Sequence, residues 1–299
     1  MTEHGGLILA IDAGGTFFKS GLVTADGEIP VHTRISCPVD SAGQADSVRW
    51  AYQSLIGRQL ENARALGQAI KAVGVDTPGP FDYREGKSLM RHKFRALYGI
   101  PLRPWIQEAA GKLPVRFLHD STAFLLGEYW KGGLQGEGNA AGVMLGTGLG
   151  FAFMQNGAVQ LNFQDGPGFS LYTVPYREGI AEDYVSRRGI ISRYLERVPQ
   201  AESGIDVADI ARLARRGSAP ALATMKETGR MLGEILLPVL KEKQCRRLAV
   251  GGQISKAYPL FGPDLEKVLE DIRLDSVAPA KSPDGAHLLG CAYLLLKAK

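Results

Sequence analysis

Two loops rich in glycine and threonine, each set between two apolar runs, are the segments of the sequence best suited to chemistry. The first, DAGGT, covers residues 12–16, and the second, GTGLG, covers residues 146–150. Glycine lets the backbone approach an anion closely, so that successive N–H groups can point at phosphate oxygens, and threonine adds a hydroxyl donor. The residues predicted to bind phosphate are Gly14, Gly15, Thr16, Gly146, Thr147 and Gly148.

Charged residues flank the first loop. Lys19 can add a charge-assisted contact to a phosphate. Asp12 is predicted to hold Mg²⁺ through a water molecule, because magnesium gives up its water reluctantly. Taken alone, DAGGT fits a simple tight hairpin turn as well as a binding loop. The second loop and a third glycine turn at Gly251 and Gly252 favour the interpretation as a phosphate-binding loop.

The elements that position these loops occur twice along the chain. Residues 9–27 and residues 141–157 each contain an apolar strand, a glycine loop, an alternating strand and an Asp-Gly or Asn-Gly turn. Because the two copies lie so far apart in the chain, the repeat predicts a duplicated α/β domain rather than a short-period solenoid. Further helices are predicted within residues 43–67, 102–110, 121–130 and 285–298, and a strand that runs into a Pro-Gly loop is predicted within residues 69–80.

Composition excludes several classes of protein. The 299 residues are 45% hydrophobic and 22% charged, which is typical of a soluble globular protein. The net charge of +4 is scattered, and the cluster Arg212, Arg215 and Arg216 is predicted to end a helix rather than to bind nucleic acid. The three separated cysteines predict neither disulfides nor a zinc site. Without a signal peptide or a membrane-length apolar run, we expect a cytoplasmic protein with no membrane partner.

Five motifs occur in the order found in the ROK family of sugar kinases and repressors, which the chain resembles over nearly its whole length. They are LAIDAGGTFFKSGLV, GVDTPGP, HDSTAFLLGE, VMLGTGLGFAF and LAVGGQIS. The resemblance implies an α/β fold of two actin-like (ribonuclease H-like) domains that flank an interdomain cleft. We expect a small N-terminal domain of residues 1–118 plus 286–299 and a large C-terminal domain of residues 119–285.

The resemblance also implies roles for individual residues. Asp120 matches the general base that accepts the proton of a sugar hydroxyl during attack on the γ-phosphate of ATP. Its alternative role is an N-cap of the helix that follows. Gly251 and Gly252 would border the adenosine. The residues implied to bind the sugar are Thr77, Pro78, Gly79, His92, His119, Tyr172 and Glu182.

The departures from the family pattern lie on the sugar side. Phe169 and Tyr172 stand where many ROK kinases have the Glu and His of an ExGH motif, and the cysteine-rich zinc segment that follows there is missing. His119 replaces the usual Asn. Two of the predicted sugar-binding residues have an alternative role. Glu182 could be a solvated residue in the first turn of a helix, and His92 could be an exposed loop residue. These differences favour an amino, deoxy or otherwise modified sugar.

The predicted function is therefore ATP- and Mg²⁺-dependent phosphorylation of a hydroxyl of a sugar or sugar derivative. The alternative is a non-catalytic sugar sensor without a DNA-binding domain, because only six residues precede the first predicted strand. An actin-like or chaperone ATPase fits the GVDTPGP and HDSTA segments less well. A homodimer is a further possibility that the resemblance suggests.

Overall fold

The computed structural model describes residues 6–281 and 285–297, which form two compact units. Unit 1 contains the chain up to Gly132, the segment Leu161–Pro167 and the C-terminal helix. Unit 2 contains Gly133–Gln160 and the described residues from Gly168 onward that precede that helix. Each unit has one mixed five-stranded sheet, so the predicted α/β fold class is confirmed.

Unit 1 is built on a sheet with the strand order β3-β2-β1-β4-β7. Its elements before Gly132 are β1 (Leu7–Ala13), β2 (Phe17–Val23), β3 (Ile35–Pro38), α1 (Ala45–Ala65), β4 (Ile70–Thr77), β5 (Phe81–Asp82), β6 (Lys87–Ser88), α2 (Arg103–Ala110), β7 (Val115–His119) and α3 (Asp120–Lys131). Strands β1, β4 and β7 are parallel, whereas β2 runs antiparallel to both of its neighbours.

The sequence explains why these elements pack as they do. In β1 the run LILAI is fully buried, because both faces of the central strand are covered. In α1 the buried positions Val48, Tyr52, Leu55 and Gln59 recur every three or four residues, so one face of the helix lies on the core. Strand β3, which the sequence analysis did not predict, pairs with the edge of β2.

Unit 2 repeats the hairpin of unit 1 in a sheet with the order β10-β9-β8-β13-β14. Its elements are β8 (Ala140–Leu145), β9 (Leu149–Gln155), β10 (Ala158–Val159), β11 (Pro175–Tyr176), β12 (Gly179–Ile180), α4 (Ala181–Val185), α5 (Arg187–Arg197), α6 (Val207–Arg215), α7 (Ala219–Glu242), β13 (Arg247–Gly251), α8 (Tyr258–Leu269) and β14 (Ser276–Pro279). Helix α6 ends at Arg215, so the basic cluster lies at a helix end as predicted.

The last helix, α9 (Ala286–Lys297), belongs to unit 1 and packs on β1, β4 and α3. Two glycines allow the backbones of α3 and α9 to touch. A Cβ atom on Gly127 would overlap the Ala286 carbonyl, and one on Gly290 would overlap the Ala123 carbonyl. Among the helices of the described residues, none combines the length and apolarity that a membrane span requires.

Candidate active site

Three parallel strands of unit 1 bring carboxylates to one edge of its sheet. Asp12 at the end of β1 is paired in register with Asp76 near the end of β4. Thr77 is paired with His119 at the end of β7, and Asp120 follows as the first residue of α3. Because parallel strands end at the same edge, a repeated polar residue at each strand end produces a cluster.

Asp120 lies at the N-terminus of α3, where it accepts a hydrogen bond from the backbone N–H of Ser121 at 2.6 Å. The N-cap position itself belongs to His119, whose Nδ1 lies 2.8 Å from Asp120 Oδ1. The same Nδ1 lies 3.1 Å from the Ser121 backbone N–H and 2.7 Å from the Ser121 hydroxyl, so His119, Asp120 and Ser121 form one cluster of polar contacts. The Asp120 side chain keeps 29% of its surface exposed, which leaves a carboxylate oxygen accessible to a substrate.

The charges around Asp120 keep it ionised. Burial by itself would raise the pKa of Asp120, but the charge and hydrogen bond of His119, together with His287, hold that pKa at about 2. Asp120 is therefore a carboxylate at neutral pH, in the protonation state that a general base needs.

His119→Ala is expected to raise the pKa of Asp120, because the charge and hydrogen bond of His119 are the largest of the effects that lower it and burial acts in the opposite direction. A base with a higher pKa becomes protonated at a higher pH, so the acidic limb of the pH–kcat/KM profile should move to higher pH. His119→Asn retains a hydrogen-bond donor without the charge and should give an intermediate profile. An unchanged acidic limb in His119→Ala would show that His119 does not tune Asp120.

A second, more deeply buried group lies beside Asp120. Asp76 is completely buried, and its Oδ1 lies 3.4 Å from Nδ1 of His287 in α9. Burial raises the pKa of Asp76, and Asp12 raises it further, while His287 acts in the opposite direction. Burial by itself would lower the pKa of His287. The negative charge of Asp76, and after it those of Asp12 and Asp120, outweigh burial, so the pKa of His287 is raised. The sequence analysis missed both Asp76 and His287.

The first glycine loop lies at the same edge of the sheet. Lys19 in β2 is paired with Asp12, so it is adjacent to the loop as predicted from spacing. Gly14 packs so closely that a Cβ atom would lie 2.9 Å from the Phe17 carbonyl oxygen. Gly15 lies beside Ser41 and the stem of Lys93. Lys93 was not among the predicted residues; its neighbour His92, which was, has an exposed side chain.

The second glycine loop is stabilised within unit 2. Gly146 donates to the Gly148 carbonyl at 3.1 Å and accepts from the Arg187 backbone N–H at 2.8 Å. Glu182 Oε2 accepts a hydrogen bond from the Leu149 backbone N–H at 3.0 Å. Glu182 thus contacts the end of this loop, a role that the sequence analysis did not anticipate.

The third glycine turn lies next to the second loop. Gly252 has a φ of +81°, and a Cβ atom there would overlap the backbone of Leu145 at the end of β8. Only glycine combines this backbone conformation with so close an approach. Strands β8 and β13 are parallel neighbours, so Gly251 and the loop at residues 146–148 lie at one edge of the second sheet.

The predicted sugar-contacting residues are divided between the units. In unit 1, the Tyr83 hydroxyl donates to the Thr77 carbonyl at 3.2 Å, and a Cβ atom on Gly79 would lie 3.5 Å from Cδ2 of His119. Thr77, Gly79 and His119 are therefore neighbours, with Tyr83 as an unpredicted fourth member; Pro78 lies between the first two in the chain.

In unit 2, Phe169 and Tyr172, the residues that the sequence places opposite an expected ExGH motif, differ in their surroundings. Phe169 packs against the ring of Phe151 with centroids 6.0 Å apart. Tyr172 is 45% exposed. Phe169 thus belongs to the apolar packing of unit 2, whereas the Tyr172 side chain is open to solvent.

The fold of two mixed sheets is one that sugar kinases adopt. A ROK family glucokinase from Streptomyces griseus, solved in complex with glucose and AMPPNP, superposes with a TM-score of 0.79 at 22% identity, covering 97% of this chain and 99% of that one. Residues 8–163 and 176–298 match the ROK family, and the chain belongs to this family.

Two characterised relatives extend over almost the whole chain. A glucokinase from Thermotoga maritima is 26% identical, covering 96% of each protein. An N-acetyl-D-glucosamine kinase from Photobacterium profundum is 25% identical, covering 96% of this chain and 98% of the relative. Residues 164–175, which lie between the two matched segments, include Phe169 and Tyr172.

Proposed function

We propose that this ROK family protein transfers the γ-phosphoryl group of ATP to a hydroxyl of a sugar or sugar derivative. The observation that carries the proposal is Asp120, an ionised and partly exposed carboxylate held at the start of α3 by His119 and Ser121. The sugar kinases among its relatives support the same reaction class.

Asp120 acts in this proposal as the general base. Its carboxylate accepts the proton of the sugar hydroxyl while that oxygen attacks the γ-phosphorus in line with the leaving ADP oxygen. His119 acts as a positioning residue, because its Nδ1 and the Ser121 N–H both contact Oδ1 of Asp120, which leaves Oδ2 for the substrate. Positioning and charge stabilisation account for most of the catalysis in phosphoryl transfer, so one carboxylate is sufficient.

The nucleotide is proposed to bind through the three glycine segments. Residues 14–16 and Lys19 contact phosphates in unit 1, while residues 146–148 contact phosphates and Gly251 and Gly252 border the adenosine in unit 2. The AMPPNP bound by the Streptomyces griseus glucokinase supports ATP as the donor. Asp12 would hold Mg²⁺ through a water molecule, and the bound ion would neutralise charge that develops on the phosphates.

Recognition of the sugar is proposed to involve Thr77, Pro78, Gly79, His92, His119, Tyr172 and Glu182. We further propose that Phe169 stands where the family's ExGH motif has a Glu and that the zinc-binding cysteine segment is missing, which would favour a modified sugar, because the Phe169 side chain offers no hydrogen bond. Glu182 already accepts a hydrogen bond from Leu149, so only its remaining lone pairs would be available to a sugar hydroxyl. A cytoplasmic location, a homodimer and the absence of a nucleic-acid partner remain parts of the proposal.

Sugar-dependent release of ADP by the purified protein tests the reaction class. Glucose, N-acetylglucosamine, N-acetylmannosamine and deoxy and amino sugars would each be added with ATP and Mg²⁺. We expect at least one of them to increase ADP release strongly over the sugar-free rate. Sugar binding by calorimetry without any increase in ADP release would instead support the non-catalytic sensor.

Lys93→Ala is expected to raise the KM for ATP about tenfold, which corresponds to roughly 1.4 kcal/mol, with a smaller effect on the KM for sugar. The stem of Lys93 lies beside Gly15, so its ammonium group is within reach of a phosphate bound at the first loop. Lys267→Ala, an exposed lysine on α8, is the control and should leave both constants unchanged. Equal KM values for ATP in the wild type and Lys93→Ala would show that Lys93 does not contribute to nucleotide binding.

A further inference from the structure

Three potential metal ligands from three elements of unit 1 converge near the first glycine loop. They are Asp12 of β1, Asp76 of β4 and His287 of α9, and each offers one ligand atom such that all three atoms lie within 4.8 Å of one another. Asp12 and Asp76 are fixed as register partners in the sheet. The cluster therefore has a rigid frame before any ligand binds.

Two of these atoms are buried without a hydrogen-bond partner among the described residues: Oδ1 of Asp76 and Nδ1 of His287. The Asp76 side chain is completely buried, and an unsatisfied carboxylate oxygen in such a place costs a large desolvation energy. Its Oδ1 is directed at His287 and not at solvent. A buried oxygen that makes no hydrogen bond and is directed into a cluster of potential ligands is suited to binding a cation.

The separation of these two atoms matches that of two ligands of one metal ion, and it also lies within the range of an ion pair. They are 3.4 Å apart, beyond the usual N–H···O range of about 2.7–3.2 Å. Two ligands on a tetrahedral ion with bonds of about 2.0–2.1 Å lie roughly 3.3–3.4 Å apart. The observed distance therefore fits two ligands of one small ion.

We propose that Asp12, Asp76 and His287 bind a divalent transition-metal ion such as Zn²⁺, Co²⁺ or Mn²⁺ in the nucleotide-free protein. An imidazole nitrogen with two carboxylate oxygens selects such ions over Mg²⁺, which prefers oxygen ligands and retained water. The proposal does not rest on the kinase reaction, although the two share Asp12, where Mg²⁺ is expected through water and together with ATP.

Neighbouring residues orient the ligands. The Sγ of Cys291 donates to Oδ2 of Asp76 at 3.4 Å, which leaves Oδ1 for the ion. Gly74 in β4 contacts Cys291 so closely that a Cβ atom would lie 2.9 Å from the cysteine Cβ, and this contact holds α9 against the strand. Such outer contacts fix the direction of metal ligands in known sites.

Titration of the EDTA-treated full chain with Co²⁺ and Zn²⁺, without nucleotide or sugar, tests the proposal. We expect one ion to bind per chain, with intense visible absorption of tetrahedral Co²⁺ that Zn²⁺ abolishes. His287→Gln and Asp76→Asn should each weaken Zn²⁺ binding at least tenfold in calorimetry. His32→Gln, an exposed histidine outside the cluster, is the matched control and should bind like the wild type.

The outcomes separate a metal site from a simple ion pair. If the wild-type chain binds neither ion, Asp76 and His287 form only a buried charge pair and the proposal is wrong. Binding that survives His287→Gln and Asp76→Asn, both shown to be folded by circular dichroism, would also overturn it. Should either variant unfold, the wild-type Co²⁺ spectrum decides, because tetrahedral coordination gives intense visible bands and six-coordinate Co²⁺ at surface carboxylates gives weak ones; weak bands alone would overturn the proposal. Kinase turnover plays no part in these readouts.

Discussion

Asp120→Asn is expected to lower the kcat of sugar phosphorylation by about 10²–10⁴-fold, because an amide cannot accept the proton of the attacking hydroxyl. The substitution keeps the size of the side chain and one oxygen that can accept the Ser121 N–H. The KM values for ATP and sugar should therefore change much less than kcat. Initial rates from a coupled assay for ADP, at saturating ATP and sugar, give the comparison.

A second helix supplies the matched control for this prediction. Asp46 lies in the first turn of α1, as Asp120 lies in the first turn of α3, and it is exposed. Asp46→Asn removes the same favourable interaction with a helix N-terminus without touching the candidate site. It should leave kcat unchanged. Comparable losses of kcat in both variants would mean that Asp120 stabilises the N-terminus of α3 and does not act as the base.

Gly290→Ala is expected to destabilise the protein by about 3 kcal/mol, which is among the larger effects of a single methyl group. The added Cβ would overlap the Ala123 backbone of α3, and a backbone cannot move aside as a flexible side chain can. Helix α9 must then shift away from α3, which begins with Asp120. Thermal unfolding followed by circular dichroism should show a Tm lower by roughly 5–10 °C.

The same substitution elsewhere tests whether the close contact is the cause. Gly57 lies inside α1, where no atom stands within 4 Å of an added Cβ. Gly57→Ala should stabilise the chain by about 0.4–1 kcal/mol, because it restricts the unfolded state and favours the helix. A Tm for Gly290→Ala equal to or above that of Gly57→Ala would contradict the packing described for α3 and α9.

Much of the fold could be predicted because the signals were local. The hairpins β1–β2 and β8–β9 carry alternating residues and Asx-Gly turns, and α1 carries a clear helical period. Strands β3 and β14 have four residues each, lie at sheet edges and are partly exposed, so no strong pattern marked them. The domain boundaries drawn from the resemblance stay a prediction.

The candidate site was predictable only where a motif marked it. Asp120, His119 and the glycine loops were found in this way, and their roles in catalysis and binding stay predictions. Asp76 and His287 could not be predicted, because their contact forms only when the last helix packs against a strand far earlier in the chain. Asp76 and Cys291, which are 215 residues apart, meet in the same way. A signal was present nonetheless: a charged residue inside an apolar strand must find a partner.

The identity of the phosphorylated product tests the central claim most directly. The wild-type protein and Asp120→Asn would be incubated side by side with ATP, Mg²⁺ and the sugar that best stimulates ADP release, and the products examined by ³¹P NMR. We expect the wild type to form a sugar phosphomonoester in an amount equal to the ADP released, and Asp120→Asn to form almost none. Formation of inorganic phosphate in place of the ester, or an equal yield of ester from Asp120→Asn, would contradict it.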